Sequence, residues 1–452
     1  MKSFIKSFPF ILFLLATSCQ HDDVPVTYEQ GTTEYTNNWM YTQMKRYYYW
    51  NENMPAKGDL SVAPKDYFSR LLSPEDRFSY ALNLADINTF PKSLRNSFGF
   101  DIGFVEHEGQ VFGVILYVLS DSPAKNAGLR RGQLINAIGS INLNRENYNS
   151  LYNGMITSQE ARLQIMNYTE TTGFSQPQEV TISSGIVLLQ HVSGKVLHEQ
   201  GKIVGYIEIP HFDVGLSQSL LNVFSLFKSQ NVNEIVVDLR YNGGGDVSSA
   251  TALCALLAPN IAPNDFFIRF TGNTNGGTVN QSFKEALQTN ESQVSFEALR
   301  AAHPAIQRVY ILCGGHTASA SEIIINNLRP FMEVITIGEK TLGKDTATFP
   351  IEDENAGPDV PHWVLYPAIY KLSNANEEGN YSSGLIPSIT IDELGELELH
   401  ALGKPDEILL ERAFSNISGN GRLRKSRNAI QLHKERTDHD AQPIVIDKKW
   451  PY

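Results

Sequence analysis

The residue types best suited to chemistry lie in two short segments of the carboxy-terminal half. Residues 317–323 read TASASEI, and residues 338–344 read GEKTLGK. A serine becomes a nucleophile when a base takes its proton, and a lysine can be that base when burial lowers its pKa. Ser319 and Lys344 are therefore a candidate nucleophile and a candidate general base.

The elements around these segments place them in space. A β-branched run at 308–313 predicts a strand that ends in a Gly-Gly turn, and a helix is predicted to begin near Ser319. The hydroxyl then lies at a helix N-terminus, where free N–H groups favour developing negative charge. A second strand at 334–338 and a turn at Gly343 return Lys344 towards the same point.

Other interpretations of the two residues stay open. Ser319 and Glu322 fit the capping-box pattern, so the serine hydroxyl can be a helix cap and nothing more. Lys344 taken alone fits a surface lysine.

A glycine-rich segment follows another predicted strand. Residues 238–246 read DLRYNGGGD, and bare backbone there can donate N–H groups to an oxyanion. The alternative is a phosphate-binding loop, but the spacing and the Lys-Ser/Thr of a P-loop are missing. The chain also lacks HExxH, GxSxG and a Cys/His array, so we predict neither a metal nor a cofactor.

The amino terminus predicts the compartment. Residues 1–18 have two lysines and a nine-residue apolar run at 8–16, which is too short to span a bilayer and is typical of a signal peptide. Ala16-Thr17-Ser18-Cys19 resembles a bacterial lipobox, which implies cleavage before Cys19 and its lipidation. An ordinary signal peptide with a chance cysteine is the alternative.

The residues after Cys19 bear on the location. Gln20-His21-Asp22-Asp23 resembles the acidic export signal of Bacteroidetes surface lipoproteins. We therefore expect an outer-membrane lipoprotein of the cell envelope, facing the periplasm or the surface, that touches the membrane only through its lipid. The net charge of −12 argues against nucleic acid as a partner. Cys254 and Cys313 lie in apolar segments and are predicted to be buried thiols.

The remaining chain divides by pattern. Residues 19–35 are a polar tether, and 36–90 have aromatic residues at helical spacing, which predicts a small helical domain with an aromatic core rather than an aromatic ligand site. Strands and helices alternate over 190–395, with helices at 216–230 and 246–258 and an insertion at 259–305. This alternation predicts an α/β fold. One more helix is expected at 396–418, followed by a polar tail, 419–452, that we expect to be mobile.

Residues 95–185 contain short strands and glycine turns. Two stretches, 98–103 and 122–139, resemble a PDZ domain. The resemblance implies that a glycine loop binds a peptide carboxylate while the peptide adds a strand to the sheet edge. The residues implied in peptide binding are Phe98, Gly99, Phe100, Ile102 and Gly103. A small β-domain without a ligand is the alternative.

Together these segments resemble the carboxy-terminal processing (tail-specific) serine proteases. The resemblance covers roughly residues 36–418, and Asp76–Tyr80 is similar to a Bacteroidetes lipoprotein branch of that family. It implies a crotonase-like ββα core, Ser319 as nucleophile and Lys344, 25 residues later, as base. It also implies an oxyanion hole formed by the N–H groups of Ala320 and Gly244.

One departure from the family pattern concerns the lysine. The glutamine that orients it in many members is Thr348 here, and a helix aspartate of some members is Pro330. The hydroxyls of Thr346 and Thr348 are the candidate replacements. Otherwise the activity is reduced.

Three functions follow from these observations. The leading hypothesis is an endopeptidase that hydrolyses unfolded or C-terminal segments recognised through the PDZ domain. The second is a catalytically silent peptide-binding lipoprotein that keeps the fold as a scaffold. The third is an acyl-CoA enzyme on the same core. The sequence does not predict the oligomeric state.

Overall fold

The computed structural model describes residues 27–91, 98–187, 191–199, 201–288, 294–354, 357, 360–419, 429–432 and 444–445. The predicted signal peptide, Cys19 and the acidic export signal lie outside these residues. Within them, every helix is too short or too polar to cross a lipid bilayer.

Ten α-helices are numbered in chain order. They are α1 (Thr33–Tyr47), α2 (Pro64–Leu71), α3 (Pro123–Asn126), α4 (Tyr148–Ile156), α5 (Ser217–Ser229), α6 (Val247–Leu257), α7 (Phe283–Leu287), α8 (Phe296–Ala302), α9 (Ala320–Leu328) and α10 (Ile408–Ile417), all within the described ranges.

The strands of the described ranges are numbered in the same way. They are β1 (Tyr80–Asn83), β2 (Phe100–His107), β3 (Gln110–Val118), β4 (Leu134–Ile138), β5 (Ile141–Asn142), β6 (Glu160–Met166), β7 (Tyr168–Thr169), β8 (Gly173–Phe174), β9 (Gln178–Ser183), β10 (Ser193–Glu199), β11 (Lys202–Glu208), β12 (Glu234–Asp238), β13 (Phe266–Thr271), β14 (Thr278–Ser282), β15 (Arg308–Cys313), β16 (Glu333–Gly338), β17 (Thr346–Thr348), β18 (Ile351–Glu352), β19 (Trp363–Tyr366), β20 (Tyr370–Ser373), β21 (Ile389–Thr390), β22 (Ile430–Leu432) and β23 (Ile444–Val445).

A six-stranded sheet forms the centre of the α/β core. Its order is β10-β11-β12-β15-β16-β21, and all neighbours are parallel except β10 and β11. Apolar residues alternate along the strands, so one face packs on α5, α6 and α9 and the other on α10. The strands predicted near 203, 234 and 308, and the helices predicted at 216–230 and 246–258, are confirmed.

Because parallel strands point the same way, the segments that follow β12, β15 and β16 lie at one edge of this sheet. These segments are the glycine-rich loop, the serine segment and the lysine segment. The topology therefore brings together the three motifs that are separated in sequence.

The amino-terminal unit shares the core of the α/β sheet. Met40, Tyr48 and Phe68 belong to the same buried cluster as the sheet residues, and β1 pairs with β19. The aromatic residues of this unit are buried as predicted, and their core is continuous with that of the main sheet because the side chains pack against it. The region predicted as an insertion adds β13 and β14 to a five-stranded sheet of order β14-β13-β20-β17-β23.

Residues 98–183 form a β-domain with a core of its own, built around Phe98, Phe104 and Leu163. Its sheet has the order β22-β2-β3-β4-β6-β9. The helix predicted at 396–418 is shorter than expected, since α10 begins only at Ile408, after Gly403 and Pro405.

The tail contains two strands. β22 pairs with β2, and β23 pairs with β17. The prediction of a mobile tail is therefore wrong for the five residues of these strands, because each strand pairs with the edge of a sheet.

Buried ion pairs fasten the β-domain to the core. Arg240 contacts Asp238, Glu393 and Glu407, and Arg131 of the β-domain donates to the same Glu393 at 2.6 Å. Burial alone would raise the pKa of Glu393, but the two guanidinium groups override it and lower the pKa to about 2. The Glu393 carboxylate thus stays ionised and pairs with the positive charges of Arg131 and Arg240 where the β-domain meets the core.

Candidate active site

Ser319 lies in the turn between β15 and α9. Its backbone has φ 63° and ψ −121°, a left-handed conformation that is strained for any residue with a Cβ. The side chain is completely buried, and its Oγ has no hydrogen-bond partner in the structure. A hydroxyl that served as a helix cap would accept a hydrogen bond, so the capping interpretation does not account for Ser319.

Glu322, on the first turn of α9, connects the serine to the lysine. One carboxylate oxygen accepts the N–H of Ser319 at 2.9 Å and the N–H of Lys344 at 2.7 Å. The other accepts the Gly343 N–H at 2.8 Å and the Thr341 hydroxyl at 2.5 Å. Burial raises the pKa of Glu322 to about 7, against the effect of these four donors. A single carboxylate therefore fixes the backbone of both candidate catalytic residues.

Lys344 is buried in the same place. Burial lowers the pKa of its amine to about 7, while the charges of Asp76 and Glu322 act in the opposite direction. The ring of Phe78 covers the amine, with its centroid 5.3 Å from Nζ, and also packs against Ala318 and Leu342. A substantial fraction of the amine is thus neutral near pH 7, as a general base requires.

The amino-terminal unit supplies the residues around this amine. Arg77 donates to the carbonyls of Ser382 at 2.7 Å and Leu342 at 3.3 Å, which ties its loop to the lysine loop. Asp76 accepts from the Tyr48 hydroxyl at 2.7 Å. The sequence associates this segment only with the family resemblance and does not predict its contact with the lysine. No spacing pattern links residue 78 to residue 344.

The glycine-rich loop packs directly on the nucleophile. Gly244 has φ 109°, and a Cβ there would lie 2.5 Å from the Cβ of Ser319, so only glycine fits. Its N–H, however, donates to Asn242 Oδ1 at 2.8 Å. Among the residues described, the N–H groups of Ala320 and Gly245 have no acceptor. The Gly244 N–H is thus engaged in this structure, whereas those of Ala320 and Gly245 are not, and the oxyanion hole stays a prediction.

The two threonines proposed to orient the lysine lie in β17. The Thr348 hydroxyl donates to the Phe349 carbonyl at 3.3 Å and is engaged there. Thr346 pairs with Lys371 through its backbone. Phe78 lies over the Lys344 amine, the charges of Asp76 and Glu322 act on it, and orientation of the amine by Thr346 stays a prediction.

The peptide-binding residues predicted in the β-domain face inwards. The side chains of Phe98, Phe100 and Ile102 are buried, and a Cβ at Gly103 would lie 2.5 Å from Leu394 Cδ1. Any ligand contact from this segment therefore uses its backbone, including Gly99, which has φ 79°.

A contact that the sequence did not predict links the β-domain to the nucleophile turn. Asp101 of β2 accepts from His316 Nε2 at 3.0 Å, three residues before Ser319. A cavity of about 300 Å³ lies beside this contact, between β2 and residues 313–316. A side-chain hydrogen bond therefore joins strand β2 to the nucleophile turn.

Within the described ranges, no three His, Cys, Asp or Glu side chains are arranged to hold a metal ion. Cys254 and Cys313 are buried free thiols, as predicted, and burial raises the pKa of Cys313 to about 12. Neither thiol is a nucleophile at neutral pH.

Comparison with known families gives two matches. The sequence profile of peptidase family S41 matches residues 203–390, and that of the peptidase S41 N-terminal domain matches residues 35–80. The two together cover just over half of the chain and include the serine, the lysine and the segment around Phe78.

Individual relatives agree with these matches. The tail-specific protease of Haemophilus influenzae is 24% identical over 241 residues, which cover 51% of this chain and 31% of that protein. The carboxyl-terminal-processing protease of Synechocystis is 24% identical over 294 residues, which cover 65% of this chain and 61% of that protein. This chain thus spans less than two thirds of the length of either relative.

One solved structure covers nearly the whole chain. A crystal structure of a candidate S41 protease from Bacteroides fragilis has a TM-score of 0.68 at 26% identity, over 87% of this chain and 99% of that chain. This similarity confirms the predicted α/β fold class.

Replacing Glu322 by Gln tests the role of the shared carboxylate. An amide has one accepting oxygen, so its NH₂ must face an N–H group, and we expect a loss of about 2 kcal/mol in unfolding free energy. Displacement of the serine and lysine should slow labelling of Ser319 by a fluorophosphonate about 100-fold. Chemical unfolding and labelling rates measure the two effects.

The matched control is Glu285→Gln. Glu285 occupies the same position in the capping box of α7, where it is exposed to solvent and remote from the site. We expect it to label at the wild-type rate. Equal labelling of wild type and Glu322→Gln would contradict the positioning role.

Proposed function

We propose that this chain, which belongs to peptidase family S41, is an endopeptidase that uses Ser319 as its nucleophile and Lys344 as its general base. The observation that carries this proposal is the Ser319 hydroxyl. It is fully buried on strained backbone, without a hydrogen-bond partner, and one carboxylate oxygen holds its backbone beside that of the lysine.

The reaction would proceed in two halves. Ser319 Oγ has no hydrogen-bond partner in the structure, so the Lys344 amine must first move into hydrogen-bond reach of it. The neutral amine then takes the proton of Ser319, and Oγ adds to the peptide carbonyl. The N–H of Ala320 and one from the glycine loop stabilise the oxyanion, and the protonated lysine returns its proton to the leaving amine. Water, deprotonated by Lys344, then attacks the acyl carbonyl, the bond to Oγ breaks to release the new carboxyl terminus, and the protonated lysine returns its proton to Oγ.

A second candidate function is a silent peptide-binding scaffold. The complete burial of Ser319 favours it, because a substrate reaches the hydroxyl only after neighbouring groups move. The lowered pKa of Lys344 favours the peptidase, since a scaffold has no need of a buried lysine with a partly neutral amine.

The β-domain is the proposed recognition element for unfolded or C-terminal segments of protein substrates. Support comes from β2, which has β3 on one side and on the other only the short strand β22. An extended peptide can occupy such an edge by adding a strand. The hydrogen bond between Asp101 and His316 joins the strand at this edge to the nucleophile turn.

Location at the outer membrane through a lipid on Cys19 is also a proposal, supported by the lipobox-like sequence before it. Mass spectrometry of the mature amino terminus tests it. A diacylglyceryl-modified Cys19 is the expected result, and an unmodified cysteine or a different cleavage site would contradict it.

Cleavage of a reduced, carboxymethylated protein tests the two catalytic assignments. Ser319→Ala and Lys344→Met should each lower the rate by about 1000-fold or more, because nucleophile and base act as a unit. Ser321→Ala and the exposed Lys340→Met are matched controls that should retain most of the rate. Equal cleavage by Ser319→Ala and wild type would reject Ser319, and peptide binding without cleavage by any variant would favour the scaffold.

The pH dependence of kcat/KM tests the lysine separately. Because only the neutral amine accepts a proton, the rate should rise at least tenfold per pH unit below about 7, where Glu322 titrates as well, and level off above that pH. An acidic limb near pH 10, the range of an exposed lysine, would contradict the buried-base assignment. Peptide binding by Ser319→Ala over the same pH range is the control for substrate recognition.

A further inference from the structure

The described residues of the tail fill two sheet edges. Residues 430–432 pair antiparallel with residues 104–106 of β2, and residues 444–445 pair parallel with residues 347–348 of β17. Each tail strand is the outermost strand of its sheet. Without the tail, both β2 and β17 would have an open row of N–H and C=O groups.

The direction of β22 is that of a bound peptide. Its residue numbers increase as those of β2 decrease, from Ile430 opposite Glu106 to Leu432 opposite Phe104. The chain therefore runs towards the glycine loop at residues 98–99, which precedes β2. A peptide whose carboxyl end is held at that loop would run in the same direction along the same edge.

Side-chain packing makes the contact specific. Leu432 packs against the apolar core of the β-domain, whereas Ile430, on the same face of the same strand, is 63% exposed. Leu432 and Gln431 also line the cavity that borders His316 and the nucleophile turn. An apolar side chain at the Leu432 position is thus the feature that this edge binds.

Charge complements the packing. Residues 419–452 contain eight Lys and Arg against four Asp and Glu, whereas the chain as a whole carries −12. A basic segment is attracted to an acidic body, which favours an intramolecular contact over a free tail.

The second contact lies next to the proposed base. Strand β17 begins two residues after Lys344, and β23 covers its outer edge. Ser319 is completely buried in this arrangement. The tail is thus paired with both the recognition edge and the strand beside the catalytic lysine while the nucleophile is closed to solvent.

We propose that the carboxy-terminal tail is an intramolecular ligand of its own peptide-binding edges, with Ile430–Leu432 on β2 and Ile444–Val445 on β17. A substrate peptide must displace it before cleavage. This inference rests on the proposed function for its effect on activity, but the occupancy of the two edges can be measured without any cleavage.

The first experiment measures binding alone. A fluorescent peptide with the sequence of residues 429–445 is titrated against the full mature chain carrying Ser319→Ala, with or without a change in its own tail. Leu432→Asp frees the β2 edge and should tighten peptide binding about tenfold, the equivalent of one partly buried leucine. Ile430→Asp makes the same chemical change at the exposed position and should bind as the parent does.

Two further arms keep the result interpretable. Leu432→Ala, a milder change, should tighten binding in the same direction. A peptide that itself carries Leu432→Asp should not bind. Equal affinity of the Leu432→Asp and Ile430→Asp chains would overturn the proposal. So would a change of Leu432→Asp from dimer to monomer in light scattering, which would place the tail on a second copy.

The last arm uses cleavage of an unfolded protein at subsaturating concentration. Leu432→Asp in the active chain should raise kcat/KM about tenfold over wild type and over Ile430→Asp. A gain in peptide affinity without any cleavage in wild type would reject the proposed peptidase activity and leave the tail contact supported. Unchanged kcat/KM in a cleaving enzyme would overturn the competition with substrate.

Discussion

The arrangement of the site depends on one buried carboxylate. Glu322 accepts four hydrogen bonds, and one of its oxygens holds the backbone of both Ser319 and Lys344. A charge removed from water is stable only when its acceptor sites are used, and here the donors come from two segments that each follow a strand of the central sheet. Glu322, in the first turn of α9, therefore connects the loop that contains Ser319 to the loop that contains Lys344.

The rest of the fold brings these loops together and buries the amine of Lys344. The parallel sheet brings the ends of three strands to one edge, and the amino-terminal unit adds the apolar cover of Phe78 over the amine. Burial makes the amine less basic and Glu322 less acidic, and both titrate near neutral pH. Arg240 and Arg131 both donate to Glu393, and this shared carboxylate joins the β-domain to the α/β core.

Much of this could be predicted from local pattern. β-branched runs gave the central strands, and the glycine turn after β15 placed Ser319 at a helix start. Contacts between distant segments could not be predicted, because the packing of Phe78 on Lys344 leaves no periodic signal in either segment. The Gly244 N–H shows a further limit. Glycine at position 244 does allow the close approach to Ser319. The Gly244 N–H, however, donates to the side chain of Asn242, and the residue types alone do not predict this contact.

The contact of Phe78 with Lys344 also bears on when the chain becomes reactive. The lysine has a partly neutral amine only while the aromatic ring and the surrounding protein exclude water from it. An unfolded or half-assembled chain carries an ordinary ammonium group and an ordinary serine, and neither reacts with a peptide bond. The proposed base thus acquires its lowered pKa only in the folded chain, after residues more than 260 positions apart in sequence have come into contact.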